Sequence, residues 1–320
     1  MNMNTRVLAA ALMCMLGGAA HAQNYPAKTV RIIVPFAPGG GSDFIARQIA
    51  PPLTKAMNQQ FVVDNRPGAG STLGSEIALK SPADGYTLLL ISGSYTTSPS
   101  LYKNLKYDPL NDMASVIQTE NGPYVVTVHP SLPVKTVKEL VAIAKAKPGQ
   151  LNYASTGNGG ITHLSAELFA MRTGIKITHI PYKGTGPGVI DTIAGNTQMM
   201  IGAVSAVIGH MQNGRLKGLA VSSPKRLPAL PNVPTVMESG INYQVNNWHG
   251  VIAPKGTPKP VIDRLNSEIN KAIKDPEFAK RIALDGLEPA GGTPEEFYAL
   301  LKREVVEWAE VVKAANVKAD

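Results

Sequence analysis

The sequence predicts an α/β protein, mostly parallel sheets flanked by helices and arranged in two halves, and three observations point there. Short β-branched runs alternate with helical patterns of about ten to fifteen residues, the order that gives parallel strands with helices on their faces. A unit of strand, glycine-rich turn and helix occurs near the N-terminus and recurs in the middle of the chain. The chain has 320 residues, 44% of them hydrophobic, which suffices for two cores of ordinary domain size.

The first strand is the run from Val30 to Phe36, β-branched and bounded by proline and glycine. It feeds a turn from Ala37 to Asp43, with Gly39, Gly40 and Gly41, and then a helix from Phe44 to Ile49 that should stop at Pro51-Pro52. A second strand, Phe61 to Asp64, precedes the glycine turn Arg66 to Ser71 and a helix through Glu76 and Ala78. Tyr86 to Ile91 reads as a third strand, followed by a loop from Ser92 to Thr97.

The pattern then starts again. Tyr124 to Val128 is a strand, and Thr136 to Glu139 has the spacing of a capping box opening a helix to Lys145. Leu151 to Ser155 is the next strand, followed by a turn from Gly157 to Gly160 and a helix containing Leu164 and Leu168. The last third is helical. Val261, Leu265 and Ile269 recur every four residues after Thr257-Pro258, and Phe297, Leu301, Val305, Trp308 and Val312 recur every three or four after Thr293-Pro294, so both stripes are expected in the core.

Residues 1–22 have the pattern of an export signal, in which Arg6 precedes an apolar run from Val7 to Ala20 ending in Ala20-His21-Ala22. The run is shorter than the roughly 20 residues that span a bilayer. Cleavage is expected after Ala22. It would remove Cys14, the single cysteine, and with it any disulfide or thiolate chemistry. The formal charge of +8 raises nucleic acid as a partner, but basic residues are scattered among acids, as in Lys271 to Arg281, without interleaved aromatics. No nucleic-acid partner is expected.

The two glycine turns are the candidate site. A strand end followed by a helix start brings unpaired N–H groups and a partial positive charge together, which suits an anion. The turns Gly39 to Asp43 and Ser155 to Thr162 are expected to face each other across a cleft. Two or three charge-assisted bonds at roughly 1.5–3 kcal/mol each approach the roughly 8 kcal/mol of micromolar affinity. Asp43 is placed to cap a helix or tie down its loop, and His163, in a first helical turn, is expected to be neutral. Ser155 and Thr156 offer hydroxyls for binding. Neither turn fits a nucleotide phosphate loop, and no hydrolase elbow, zinc motif or calcium loop is present, so no cofactor or metal is expected. His129 and His249 read as surface or packing residues.

The ordered motifs Ile33-Val34-Pro35-Phe36-Ala37-Pro38-Gly39-Gly40-Gly41-Ser42-Asp43, Asn65-Arg66-Pro67-Gly68-Ala69-Gly70, Asp84-Gly85-Tyr86-Thr87-Leu88, Tyr153-Ala154-Ser155, Pro181-Tyr182-Lys183-Gly184 and Leu230-Pro231-Asn232-Val233-Pro234-Thr235 resemble the Bug family, periplasmic solute receptors of tripartite tricarboxylate transporters. The resemblance spans the chain beyond its leader. It implies a two-lobed type II periplasmic-binding-protein fold, with residues 24–122 plus 247–320 as one lobe and 123–246 as the other. It also implies a monomer in the periplasm that captures a di- or tricarboxylate, acidic amino acid or aromatic acid, delivers it to membrane permease subunits and is not an enzyme. Carried onto matching positions, the implied binding set is Phe36, Gly40, Ser42, Asp43, Ser155, Thr156, Gly159, Gly160 and His163, with Tyr182, Lys183 and Asp191 from neighbouring loops. The chain departs from the family pattern at Gly188, where alanine is usual, and at His249, where an aromatic commonly follows Trp248; with the loop Ser92 to Thr97 these positions are expected to shape the far end of the pocket and hence ligand choice. Two other readings stay open: a signalling co-receptor for a carboxylate, and a secreted hydrolase using Ser155 or Ser94.

Overall fold

The computed structural model describes residues 25–284 and 286–318. The export signal, its expected cleavage site and Cys14 lie outside the described residues.

The chain folds into two α/β lobes. The first begins with β1 (Val30–Val34), α1 (Gly41–Met57), β2 (Phe61–Asn65), α2 (Thr72–Leu79), β3 (Thr87–Ser92) and α3 (Gly93–Leu101). The long strand β4 (Met113–Val128) leads into α4 (Val137–Ala146), β5 (Asn152–Ser155), α5 (Ile161–Thr173), β6 (Thr178–Pro181), α6 (Thr185–Ile193), β7 (Met199–Ala203), α7 (Val204–Gln212) and β8 (Lys217–Val221). The chain returns through β9 (Asn246–Pro254) to α8 (Lys259–Lys274), α9 (Pro276–Leu284), β10 (Glu288–Gly291) and α10 (Pro294–Ala315).

The strand order is β2-β1-β3-β9-β4-β7-β5-β6, with β8 and β10 also pairing β4. The glycine-turn strands are parallel: β1 lies between β2 and β3, and β5 between β6 and β7. The crossing strands are antiparallel to their neighbours, so each sheet is mixed. Strand β4 pairs β9 from Met113 to Pro123 and β7 from Tyr124 onward, so one strand serves both lobes.

Both faces of each sheet are covered, which is why the central strands read as continuous apolar runs. Ile32, Val34, Leu88 and Leu90 pack against Ile45, Ile49, Leu53, Leu265 and Ile269. The alternate residues Ile33, Leu89 and Ile91 meet Tyr95, Trp248, Phe297 and Leu301 on the other face. In the second lobe Val126, Tyr153 and Ile201 pack with Leu140 and Phe169, and Val125, Ala154 and Met200 with Val189 and Val207.

Several local expectations are corrected. Helix α1 starts at Gly41 and runs through Pro51-Pro52 to Met57. An interior proline costs about 3 kcal/mol, but Ile45, Ile49, Leu53 and Met57 keep one face buried across it, and that burial outweighs the break. The segment Ser92 to Thr97, read as a loop, enters α3. The box at Thr136 is half made: Thr136 accepts from the Glu139 amide, while Glu139 accepts from the amide of Lys135. The Thr293–Glu296 box is complete. Val305 and Trp308 are only partly buried, while Val312 beyond them is buried; Trp308 packs with Leu101, Leu164 and Val312.

Candidate functional site

The C-terminal ends of β1 and β5 deliver their glycine turns to one cleft, where the lobes touch directly. The Ala37 amide donates to the Lys183 carbonyl at 2.9 Å. The Thr97 hydroxyl donates to the Gly159 carbonyl at 2.7 Å, and the Tyr102 hydroxyl to the Asn158 carbonyl at 2.9 Å. The Ile161 amide, at the start of α5, donates to Ser94 Oγ at 2.9 Å. Each of these bonds joins a residue of the first lobe to one of the second.

Glycine is required where the backbones approach. At Gly159 φ is +69°, and an added Cβ would lie 2.3 Å from Leu101 Cδ1. At Gly70 φ is +60°, and a Cβ would lie 2.5 Å from the Asn158 carbonyl oxygen. These turns therefore serve close contact between lobes.

Two neighbouring chambers lie between the lobes. The inner one, about 20 Å³, is walled by Gly40, Gly41, Ser42, Ser94, Asn247 and His249 from one side and Thr156, Ile161, Thr162, Thr185 and Ala203 from the other, with Tyr124 at the crossing. The outer one, about 290 Å³, is walled by Gly68 to Ser71, Tyr102, Gly157, Asn158, Tyr182 and Lys183. Phe36 and Thr156 border both. Two buried polar atoms at these walls, Asn247 Nδ2 inside and Ser71 Oγ outside, have no hydrogen-bond partner.

Of the residues singled out from sequence, Phe36, Gly40, Ser42 and Thr156 line the inner chamber, and Tyr182 and Lys183 the outer one. Asp43, Ser155, Gly159, Gly160, His163 and Asp191 stand behind the walls. Asp43 ties its loop: it accepts from the Gly39 amide at 3.1 Å, Arg47 at 2.9 Å and Asn65 at 3.1 Å. Burial works to raise its carboxyl, but the bonds from Arg47, Gly39 and Asn65 outweigh it and hold the group below its usual range. A Cβ on Gly160 would press on Thr156 Oγ1 at 2.6 Å, so this glycine lets the turn close on itself.

His163 accepts from the Gly159 amide at 2.9 Å and stacks on His179 at 3.8 Å. Burial lowers His163 to about 4 and, with His163 beside it, His179 to about 3, so both rings are neutral near pH 7. Ser155 is fully buried, its hydroxyl 2.5 Å from His179 Nε2, away from both chambers. Asp191 accepts from the Tyr182 hydroxyl and from Asn196. Burial, then Asp191, push the Tyr182 phenol up to about 12.

Many of the turn amides expected to meet an anion are satisfied by side chains: Gly39 by Asp43, Thr156 by Thr162, Gly157 by Ser155, Gly159 by His163 and Ile161 by Ser94. Side chains supply much of the inner polar wall instead. Sequence reasoning missed Ser71, Tyr124, Thr185 and Asn247; it read His249 by itself as a surface or packing residue, and only its departure from the family pattern marked it as shaping the pocket. In the structure His249 is 2% exposed, lies at the inner chamber and contacts Ser42. Its departure from the aromatic pattern was the available signal. Among the described residues no group of three or more His, Cys, Asp or Glu is arranged to hold a metal ion, and no helix is long and apolar enough to cross a membrane.

Comparison with known proteins agrees with this fold. Residues 45–317 match the tripartite tricarboxylate transporter family receptor. Protein BugT of Bordetella pertussis is 38% identical over 300 residues, covering 93% of this chain and 92% of that one. A Rhodopseudomonas palustris protein solved with adipate superposes with a TM-score of 0.89 at 34% identity, covering 92% of this chain and 99% of that chain. MatC from the same organism, solved with bound malate, gives a TM-score of 0.86 at 28% identity, covering 90% and 100%.

Proposed function

Since the chain belongs to the tripartite tricarboxylate transporter receptor family, we propose that it is a periplasmic receptor that closes its lobes on a small carboxylate and passes it to permease subunits. The observation that carries this reading is a polar chamber between two lobes held shut by direct hydrogen bonds. An inner space of about 20 Å³ has room for little more than a water, so the lobes must part to admit a ligand. Adipate and malate in two structural relatives support a di- or tricarboxylate, acidic amino acid or aromatic acid as the ligand class.

In this reading the lobes are residues 24–122 plus 247–320 and residues 123–246, supported by β4 exchanging partners between Pro123 and Tyr124. The ligand meets Phe36, Gly40, Ser42, Thr156, Tyr182 and Lys183. Asp43, Ser155, Gly159, Gly160, His163 and Asp191 shape the loops around it. The protein acts as a monomer and leaves the ligand chemically unchanged.

Calorimetry against malate, adipate, citrate, glutamate and benzoate tests the proposal. Saturable binding of at least one acid is expected. Tight binding of a sugar or a cation, with none of any acid, would reject it.

A further inference from the structure

Glu120 and His249 are register partners on β4 and β9, so their side chains leave the sheet on one face. His249 Nδ1 lies 2.6 Å from Glu120 Oε1, and the Thr119 hydroxyl donates to Glu120 Oε2 at 2.6 Å. Glu120 is wholly buried. A carboxylate only accepts, so the hydrogen of that contact sits on Nδ1 and Nε2 is left to meet Ser42 Oγ, 2.9 Å away. Ser42 stands in the first turn of α1 and lines the inner chamber.

A second observation points to a ligand at the same wall. Asn247 is 3% exposed, and its Oδ1 accepts from the Tyr124 hydroxyl at 3.1 Å, which orients the amide. Its Nδ2 has no partner and belongs to a residue lining the inner chamber. A buried donor left unpaired is costly, and an acceptor on a bound molecule removes that cost.

We infer that Glu120, His249 and Asn247 determine the specificity of this chain: Glu120 and His249 position the Ser42 hydroxyl, which donates to Nε2 and so faces the chamber as an acceptor, and Asn247 adds a donor beside it, so that one lobe reads a ligand group that offers both a hydrogen and an acceptor, the hydroxyl of a hydroxy acid. This rests on the receptor reading and assigns the carboxylate's contacts within it. Glu120 and His249 are positioning residues acting through Ser42. A phenyl ring in place of His249 would bond neither Glu120 nor Ser42.

The test is a double-mutant cycle on the full-length chain, with malate and adipate as probes and calorimetry as readout. Ser42→Ala and His249→Phe should each weaken binding of malate, which carries a hydroxyl, by about tenfold or more, and should change the affinity for adipate, which lacks one, far less. The double variant should bind no more weakly than Ser42→Ala alone, because His249 acts through that hydroxyl. Asn247→Ala should weaken binding by a factor that multiplies with the Ser42 loss. Should His249→Phe fail to fold, Glu120→Gln completes the same cycle, and wild-type ¹⁵N spectra should show His249 Nδ1 bearing its hydrogen with and without ligand. Multiplying losses in the Ser42/His249 double variant, unchanged malate affinity in Ser42→Ala and Asn247→Ala, or a bare Nδ1 would overturn the inference while leaving the receptor reading intact. Release of nitrophenol from p-nitrophenyl acetate that disappears in Ser42→Ala would assign the relay to acyl transfer and overturn it as well. Failure of the wild type to bind any carboxylate would instead sink the receptor reading beneath it.

Discussion

Ser94 of the first lobe caps a helix of the second: its hydroxyl oxygen accepts from the Ile161 amide at 2.9 Å. A cap supplied across a cleft exists only while the cleft is shut. Its energy therefore belongs to closure and not to the folding of either lobe.

Ser94→Ala should cost about 1 kcal/mol in the closed state alone, the usual value of a helix cap. Carboxylate affinity should fall roughly fivefold by that energy. Calorimetry measures the loss, and small-angle scattering should show a larger radius of gyration. Unchanged affinity and unchanged scattering would show that this cap does not hold the lobes together.

Gly159→Ala and Gly214→Ala form a matched pair. Both positions have similar φ, +69° and +67°, so both replacements carry the left-handed penalty of about 1–2 kcal/mol. Only at Gly159 does the new methyl meet the other lobe, 2.3 Å from Leu101 Cδ1, while at Gly214 no neighbour lies within 4 Å. Gly159→Ala should weaken ligand binding more than tenfold and Gly214→Ala should leave it nearly intact, with comparable changes in melting temperature.

Stability should fall as pH drops below neutrality through the buried His163–His179 stack. Both folded values, about 4 and about 3, lie below the 6.5 of an unperturbed imidazole, so the unfolded chain binds more protons between these limits. Stability is thus fully present above about pH 6.5 and declines as pH falls toward 4, by at most about 1.4 kcal/mol per pH unit for each ring. Urea titrations across pH 4–7 should show this slope, and His179→Gln should reduce it. An equal slope in that variant would assign the acid sensitivity elsewhere.

Asp43→Ala should destabilise the protein by about 2–3 kcal/mol, because Gly39, Arg47 and Asn65 all lose their acceptor. Asp43→Asn keeps an acceptor and should cost less. The depressed carboxyl contributes stability above its unfolded value, and that contribution is lost as pH falls through the acid range. Urea midpoints at pH 7 and pH 3 should therefore differ less in Asp43→Ala than in the wild type. An unchanged difference would remove Asp43 from the acid limb.

Signals confined to a few neighbouring residues were legible. Val30 to Val34 and Phe61 to Asp64 announce strands by β-branched runs, and Thr293 with Glu296 announces a helix start by a reciprocal cap. Strand β4 was legible only from Tyr124 onward. Its first part carries Gln118, Thr119, Glu120 and Asn121, a polar run that becomes a strand because β9 and β10 pair with it on either side. Pro51-Pro52 read as a stop for the same reason in reverse: local cost was visible, while the buried stripe that carries α1 past it depends on what lies beneath.

The residues by themselves determined the alternating strands and helices, the two glycine turns and the apolar stripes, because each depends on contacts within a few positions along the chain. Only the tertiary structure decided which polar groups share a wall. Ser42 and His249 are 207 positions apart and His249 and Glu120 129, and no local pattern links them. Their meeting is fixed by the antiparallel register of β9 on β4 and by the place of α1 over the sheet, since cross-strand register, unlike a turn or a cap, is set by residues distant in the chain.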